Sequence, residues 1–162
     1  MNSSKPLLQA SIVLSSIGVQ AGTRTVLFFI KQGNSMAIYV LKPFDRNFKG
    51  EMIADIKLCL AARELIAGQY EASLGGGVYK KRIPLGAGKS GGARAIVAFK
   101  SQKHLFFVNG YAKSTTKSGI REIKEDELNL YRQVASQLFA MTTEQERAAI
   151  KARKMREVIC DG

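Results

Sequence analysis

Acidic residues are scarce in this 162-residue sequence, and they are unevenly placed. There are 13 Asp and Glu against 25 Lys and Arg, which gives a formal net charge of +12, and no acidic residue lies between Glu71 and Glu122. This balance favours a polyanionic partner, either nucleic acid or an acidic membrane surface. The carboxylates that are present lack the spacing of a metal site, so a two-metal nuclease is disfavoured and we expect neither a metal nor a cofactor.

Cysteine and histidine are also rare. Cys59 and Cys160 lie far apart with no second pair nearby, so we expect neither a disulfide framework nor a zinc site, and a reduced cytoplasmic setting fits best. His104 is the one histidine of the sequence. A pair of histidines that shuttles protons, as in many ribonucleases, is therefore excluded, and we expect His104 at the surface or at a strand edge.

Long apolar runs are missing as well. A transmembrane helix needs roughly 20 apolar residues, so no membrane anchor is expected. The first 35 residues contain no acidic residue, and the stretch 7–19 imitates a secretory signal although polar residues interrupt it. We expect residues 1–35 to be an extension without packed structure and residues 36–162 to form one domain that begins at Met36. A cleaved secretory signal is the alternative.

From Met36 onward the pattern predicts an α+β fold, with a small, largely antiparallel sheet, two N-terminal helices and C-terminal helices packed on one face. Runs of β-branched and aromatic residues predict strands at 38–41, 78–84, 93–100 and 105–112. A hairpin turn is expected at 101–103. The two N-terminal helices are expected at 44–49 and 52–68.

Two of these helices have apolar faces that the spacing defines. The face of helix 52–68 is expected to comprise Met52, Ile56, Cys59, Leu60 and Ile66. The face of the first C-terminal helix is expected to comprise Tyr131, Val134, Leu138 and Met141. A second, strongly basic C-terminal helix is expected to begin with a capping box formed by Thr143 and Glu146.

The strands of the acid-free segment carry many cations. Because side chains alternate along a strand, Lys80 and Arg82 are expected on one face, and likewise Arg94 with Lys100 and Tyr111 with Lys113. The simpler interpretation is a solvated polar face. Since no nearby acidic residue in the sequence neutralises these cations, we expect a surface for single-stranded RNA, on which Tyr79 and Tyr111 are available to stack on bases.

The glycine-rich stretch 86–92 superficially suggests a phosphate-binding P-loop. Its spacing excludes one, because Ile83 stands where the motif needs its first glycine and a strand follows instead of a helix. Lys89 and Ser90 are still expected to contact RNA phosphates, since glycines permit a close approach of the backbone. A plain hairpin loop is the alternative.

Three segments resemble, in order, the RelE/HigB-type toxin family and its GKSGG/YAK-containing subfamily. They are LGGGVYKKR at 74–82, GKSGGAR at 88–94 and NGYAKS at 109–114. The resemblance extends over residues 36–159 and includes EDEL at 125–128. It implies a toxin of a type II toxin–antitoxin system that cleaves mRNA on the ribosome in the cytoplasm, with no membrane partner. It also implies a cognate antitoxin, a DNA-binding helix-turn-helix protein, that holds the toxin inactive.

The resemblance also implies site residues. The family's basic strand corresponds to Lys80, Lys81 and Arg82, its transition-state arginine to Arg94, and the end of its last strand to Tyr111 and Lys113. Further RNA contacts are expected from Lys89, Ser90, Lys100 and Lys117. The sequence lacks the histidine that some members of the family have next to the position of Lys113.

These residue types suit RNA cleavage without a metal, because the RNA's own 2′-OH can attack the adjacent phosphate. Arg94 is expected to clamp the non-bridging phosphate oxygens, a bidentate task that suits a guanidinium. Lys80 or Lys81 is a candidate general base, and Tyr111 or Lys113 a candidate proton donor to the leaving oxygen. Two other functions stay open: a non-catalytic RNA- or antitoxin-binding module of the same fold, and a secreted basic protein that acts on membranes.

Overall fold

The computed structural model describes residues 35–49, 53–86, 92–112 and 122–161. The expected extension 1–35 lies outside the described residues apart from Ser35. Four expected site residues also lie outside them: Lys89, Ser90, Lys113 and Lys117. The elements below belong to one compact unit, Met36–Gly162.

Six strands and four helices follow one another in the described part of the chain. In order they are β1 (Ile38–Leu41), α1 (Lys42–Asn47), α2 (Asp55–Ile66), β2 (Ala72–Gly75), β3 (Val78–Pro84), β4 (Gly92–Ala98), β5 (Leu105–Ala112), α3 (Glu125–Phe139), α4 (Thr143–Lys151) and β6 (Met155–Glu157). The strands form one sheet in the order β2-β3-β4-β5-β1-β6. Strand β1 runs parallel to β5, and the other neighbouring pairs are antiparallel. The α+β class and the mostly antiparallel sheet are thus confirmed.

The central strands match the prediction better than the edge strands. Strands β1, β3 and β5 have the predicted bounds, and β4 ends at Ala98 instead of Lys100. Strands β2 and β6, which have four and three residues, were not predicted from the sequence. Strands this short show no clear alternation of apolar and polar residues, and only their backbone pairing with β3 and β1 defines them.

Helices cover both faces of the sheet, so the expectation of helices on one face is wrong. On one face, Ala93, Ala95 and Val97 of β4 pack in a core cluster with residues of α1 and α2. On the other face, Ile96 and Ala98 pack in a second cluster with residues of α3 and α4. The reason is that β4 is apolar on both sides over these residues, and each side needs a cover.

Helix α2 buries a different face from the predicted one. Its buried residues are Leu58, Cys59, Ala61, Ala62 and Leu65. Of the predicted face only Cys59 is buried, Met52 lies outside the described residues, and Ile56, Leu60 and Ile66 are 67%, 53% and 44% exposed. The buried residues at 58, 61, 62 and 65 follow helical spacing once the alanines are included.

The C-terminal helices agree more closely with the prediction. In α3, Tyr131 is buried, and Val134, Leu138 and the following Met141 pack against the second core cluster. The capping box of α4 is one residue earlier than expected, with Thr142 at the N-cap and Gln145 as its partner. No helix among the described residues is long and apolar enough to cross a bilayer.

Cys59 and Cys160 form a disulfide, which contradicts the expectation that they are unpaired. Their Cα atoms are 5.8 Å apart although 101 positions separate them in the sequence. They meet because β6 pairs with β1 and the chain then crosses to the start of α2, where the Ile159 amide donates to Asp55. Arg156 of β6 binds Asp45 and Asp55 at the same place. Disulfides persist mainly in oxidising settings. The two cysteines therefore do not support the expectation of a reduced cytoplasmic setting.

Candidate functional site

Arg82, Arg94 and Tyr111 lie side by side on three adjacent strands. Arg82 of β3 is the cross-strand partner of Arg94 of β4, which is in turn the partner of Tyr111 of β5. Cross-strand partners share a face of the sheet, and Lys80, two residues before Arg82, shares it too. We call Lys80, Arg82, Arg94 and Tyr111 the basic face. The strand pattern predicted part of this set, namely that Lys80 and Arg82 lie on one side.

A carboxylate from outside the acid-free segment reaches the basic face. Glu71 lies just before β2, and its oxygens Oε2 and Oε1 are 2.8 Å and 3.1 Å from Nε of Arg94. The Arg94 side chain is only 12% exposed, and that of Glu71 is 38% exposed. This ion pair could not be predicted from the sequence, because its two residues are 23 positions apart and come together only through the sheet.

The guanidinium of Arg94 has a hydrogen-bond donor left over. Its Nη1 atom is buried and has no hydrogen-bond partner among the described residues. Nη1 of Arg94 and Nε of Arg82 are each 3.6 Å from the position that a Cβ at Gly92 would occupy, so both guanidiniums lie beside this glycine. A buried donor of a charged group that has no partner lowers the stability of the protein by about 1–3 kcal/mol or more. An anion that gains access to this buried donor would therefore be bound favourably there.

A hydrogen-bonded network fixes the end of β5 beside Tyr111. Nδ2 of Asn109 donates to the hydroxyl of Tyr131 at 3.0 Å, and that hydroxyl donates to Glu127 at 3.0 Å. Oδ1 of Asn109 accepts from Nδ2 of Asn47 at 2.7 Å. The network joins α1, β5 and α3, and it holds the strand that carries Tyr111. Neither asparagine was predicted from the sequence as a functional residue.

Two predicted residues lie on the opposite face of the sheet. Lys81 is the partner of Ala95 and its Nζ is 2.6 Å from Glu64 of α2, with the lysine side chain 10% exposed. Tyr79 packs against the first core cluster, with its ring centroid 4.7 Å from that of Tyr70. Strand alternation explains both positions, because residues 79 and 81 point away from residues 80 and 82. Tyr79 is therefore not on the same face as Arg94.

Lys100 does not join the basic face either. Strand β4 ends at Ala98, and six positions of mostly extended chain separate Lys100 from Arg94, which corresponds to about 20 Å. The expectation that the two residues act on one surface assumed a longer strand. Lys100 instead belongs to the turn that connects β4 to β5.

His104 has a role in packing at the other end of β5 from Tyr111. Its Nδ1 accepts a hydrogen bond from the Ala37 amide at 3.0 Å, and its Nε2 is 3.4 Å from Oε1 of the buried Glu146. Its ring meets that of Tyr39 edge-on, with centroids 5.4 Å apart. Burial, together with Glu146 and Glu157 nearby, raises the pKa of Tyr39 to about 12. His104 therefore connects β1, β5 and α4 far from the basic face.

The described residues contain no group of three His, Cys, Asp or Glu side chains placed to hold a metal ion. Comparison with curated proteins gives no match for the chain. The model of one protein family does match, over residues 36–158, and its description is the RelE toxin of the RelE / RelB toxin-antitoxin system. This match covers most of the sequence and every residue of the basic face. The chain thus belongs to the RelE toxin family, whose members are toxins of toxin–antitoxin systems and have an antitoxin as partner.

Proposed function

We propose that this chain is an endoribonuclease of the HigB-like, GKSGG/YAK-containing type, which cleaves mRNA on the ribosome and needs no metal. The observation that carries the proposal is the buried, unpartnered Nη1 of Arg94 beside the guanidinium of Arg82. Two guanidiniums that lie beside one glycine, with one donor unsatisfied, are suited to bind a phosphate together. Membership of a family of toxin–antitoxin toxins supports the proposal, and the reaction itself is what the resemblance to RelE/HigB-type toxins implies.

The reaction needs only groups that proteins supply without a cofactor. The 2′-oxygen of a ribose forms a bond to the adjacent phosphorus, and the bond from phosphorus to the 5′-oxygen of the next nucleotide breaks. The 2′-hydroxyl loses a proton, and the leaving 5′-oxygen gains one. Negative charge grows on the non-bridging oxygens in the transition state, where fixed hydrogen-bond donors lower the barrier most.

The basic face has a residue for each of these tasks. Arg94 donates from Nη1 to a non-bridging oxygen, and the exposed side chain of Arg82 moves to bind the same phosphate. Lys80 and Tyr111 flank these arginines and handle the two protons. Lys113 follows Tyr111 by two positions and is a further proton donor by resemblance to the family. Lys81 has no part in this scheme, since it is bound to Glu64 on the other face.

The ribosome supplies what such a small site lacks. An mRNA held in the decoding region is already fixed in position, and bringing the 2′-oxygen in line with the phosphate then takes little further ordering of the substrate. Action on the ribosome places the protein in the cytoplasm, where thiols are kept reduced. There, a reductant reaches the disulfide through the exposed Cys160, because Cys59 is only 3% exposed.

The test is cleavage of a translated reporter mRNA by the purified full chain in a cell-free translation system. We expect 5′ fragments that end in a 2′,3′-cyclic phosphate and 3′ fragments that begin with a 5′-hydroxyl. Chelators cannot be added during translation, which needs Mg²⁺. The metal requirement is therefore tested afterwards on isolated ribosome–mRNA complexes, with Co(NH₃)₆³⁺ in place of Mg²⁺. Fragments with 5′-phosphate ends would contradict the proposal.

Arg94→Ala is the informative variant, and Lys100→Ala is its matched control. Each removes one positive charge, but Lys100 lies in the turn beyond the far end of β4. We expect Arg94→Ala to lower the cleavage rate by about 10²- to 10³-fold and Lys100→Ala to leave it nearly unchanged. Circular dichroism checks the fold of both variants. If the wild type binds ribosomes or RNA but releases no fragment, the chain is a binding module.

A further inference from the structure

We infer that Glu71 is a positioning residue that holds the Arg94 guanidinium in the orientation needed to receive a phosphate. The inference rests on the proposed function, because it concerns the same site. Its basis is the contact between the Glu71 carboxylate and Nε of Arg94, combined with the unpartnered Nη1 of the same guanidinium.

The backbone fixes Glu71 next to the basic face. Its amide donates to the Lys80 carbonyl at 2.8 Å, one residue before β2 begins to pair with β3. Arg94 lies on β4, on the other side of β3. Its side chain and that of Glu71 therefore meet across the intervening strand β3. An arginine side chain of four rotatable bonds is thus fixed at its far end.

The carboxylate binds one edge of the guanidinium and does not contact another edge, which is buried. Both oxygens of Glu71 lie within 3.1 Å of Nε, which has a single hydrogen. Nη1 is not used by Glu71 and has no other partner among the described residues. Glu71 therefore orients the group without occupying the donor that a phosphate needs.

Charge gives Glu71 a second effect on the same residue. Arg82 and Arg94 are direct cross-strand partners, and their like charges repel. Without the carboxylate, this repulsion would turn the Arg94 side chain away from Gly92. With it, both guanidiniums stay beside the glycine. The ion pair between Glu71 and Arg94 thus holds in place two arginine side chains that would otherwise repel each other.

Three substitutions of Glu71 separate positioning from the other roles of a carboxylate. Glu71→Gln keeps an oxygen that accepts from Nε but loses the charge. Glu71→Asp keeps the charge but is one methylene too short to reach Arg94. Glu71→Ala loses both. The matched control is Glu64→Gln, which weakens the corresponding ion pair to Lys81 on the opposite face.

The measurement is kcat and KM for ribosome-dependent mRNA cleavage by the full chain, with thermal unfolding to check the fold. We expect kcat to fall by roughly 10- to 100-fold in Glu71→Ala and Glu71→Asp, and by less in Glu71→Gln. KM should fall or stay constant in Glu71→Ala, because removal of a negative charge favours RNA binding. Glu64→Gln should keep the wild-type kcat. Glu71→Ala combined with Arg94→Ala should be no slower than Arg94→Ala alone.

Each contrary result identifies a different error. If Glu71→Gln is inactive and the low-pH limb of the rate profile disappears, Glu71 transfers a proton and positioning is the wrong role. If all three variants keep the wild-type kcat, Glu71 has no role in the reaction. If the wild type itself produces no cleavage, the proposed function fails, and this outcome is distinguishable because it does not involve Glu71.

Discussion

Arg82 and Arg94 face each other directly across the antiparallel pair β3 and β4. Like charges in this arrangement destabilise a sheet, and one carboxylate, that of Glu71, partly compensates on the side of Arg94. A phosphate that binds both guanidiniums removes the repulsion. Under the proposed function, the repulsion that lowers the stability of the free protein would thus favour the binding of an anion.

Arg82→Ala is expected to stabilise the protein while weakening its function. Removal of one of two opposed charges should raise the free energy of unfolding by about 0.2–1 kcal/mol, and RNA cleavage should fall because the phosphate loses a ligand. Urea unfolding and reporter cleavage measure the two effects. Lys103→Ala, an exposed lysine in the turn before β5, serves as control for the loss of charge. Lower stability of Arg82→Ala would show that the two arginines do not repel.

Gly110 of β5 is expected to be intolerant of any side chain. A Cβ there would be 2.7 Å from Cε2 of Phe48 and 3.0 Å from the Arg94 carbonyl, and the carbonyl is backbone that cannot move aside easily. Gly110→Ala should lower the free energy of unfolding by about 1–3 kcal/mol and shift the neighbouring Tyr111, so that cleavage also falls. Gly86→Ala is the control, because a Cβ at Gly86 meets no atom within 4 Å. Equal thermal midpoints of the two variants would contradict the packing of α1 on β5.

Tyr39 is expected to make stability decrease at alkaline pH. Burial raises its pKa to about 12 from an ordinary value of 10.0. Between these values the unfolded chain binds fewer protons at this tyrosine than the folded chain does, so stability falls as pH rises from 10 to 12 and is unaffected by Tyr39 below pH 10. Urea unfolding at several pH values should show a shallower decline for Tyr39→Phe than for the wild type. Identical slopes would show that Tyr39 ionises as easily in the folded state as in the unfolded one.

Loss of the disulfide is expected to destabilise the domain by about 2–5 kcal/mol, because the bond closes a long loop in the unfolded chain. Cys160→Ser is the suitable variant, since Cys160 is exposed whereas Cys59 is buried among core residues. Urea midpoints with and without dithiothreitol measure the effect. The wild type should respond to the reductant, and Cys160→Ser should not. A wild-type midpoint that ignores the reductant would mean that the bond contributes no stability.

The sequence predicted what depends on local pattern and missed what depends on distant residues. Strands β3 and β5 were predicted with correct bounds, because several consecutive residues carry the signal. For α2, bulky residues were weighted above alanine, and this placed the wrong side of the helix in the core. Helices were expected on one face of the sheet only. The packing of Ile96 and Ala98 with α3 on the other face could be learned only from the tertiary structure.

The candidate site shows the same division. Alternation along β3 placed Lys80 and Arg82 together, but strand register was needed to bring Arg82 opposite Arg94. The absence of acidic residues from 72 to 121 suggested that the cations there are unneutralised. In the fold, Glu64 and Glu71 reach Lys81 and Arg94 from just outside that segment. Charge counted along a sequence does not give the charge at a site.

The bond between Cys59 and Cys160 turns most of the domain into a covalent ring, and the basic face and Glu71 all lie within it. A single cut of the backbone between these cysteines therefore leaves the two fragments covalently joined. They separate on a denaturing gel only after the disulfide is reduced. The broken ends stay at a high effective concentration, so that the strands on either side of the cut remain paired in the sheet. In its oxidised form the domain is thus protected against a first proteolytic cut in a way that the reduced form is not.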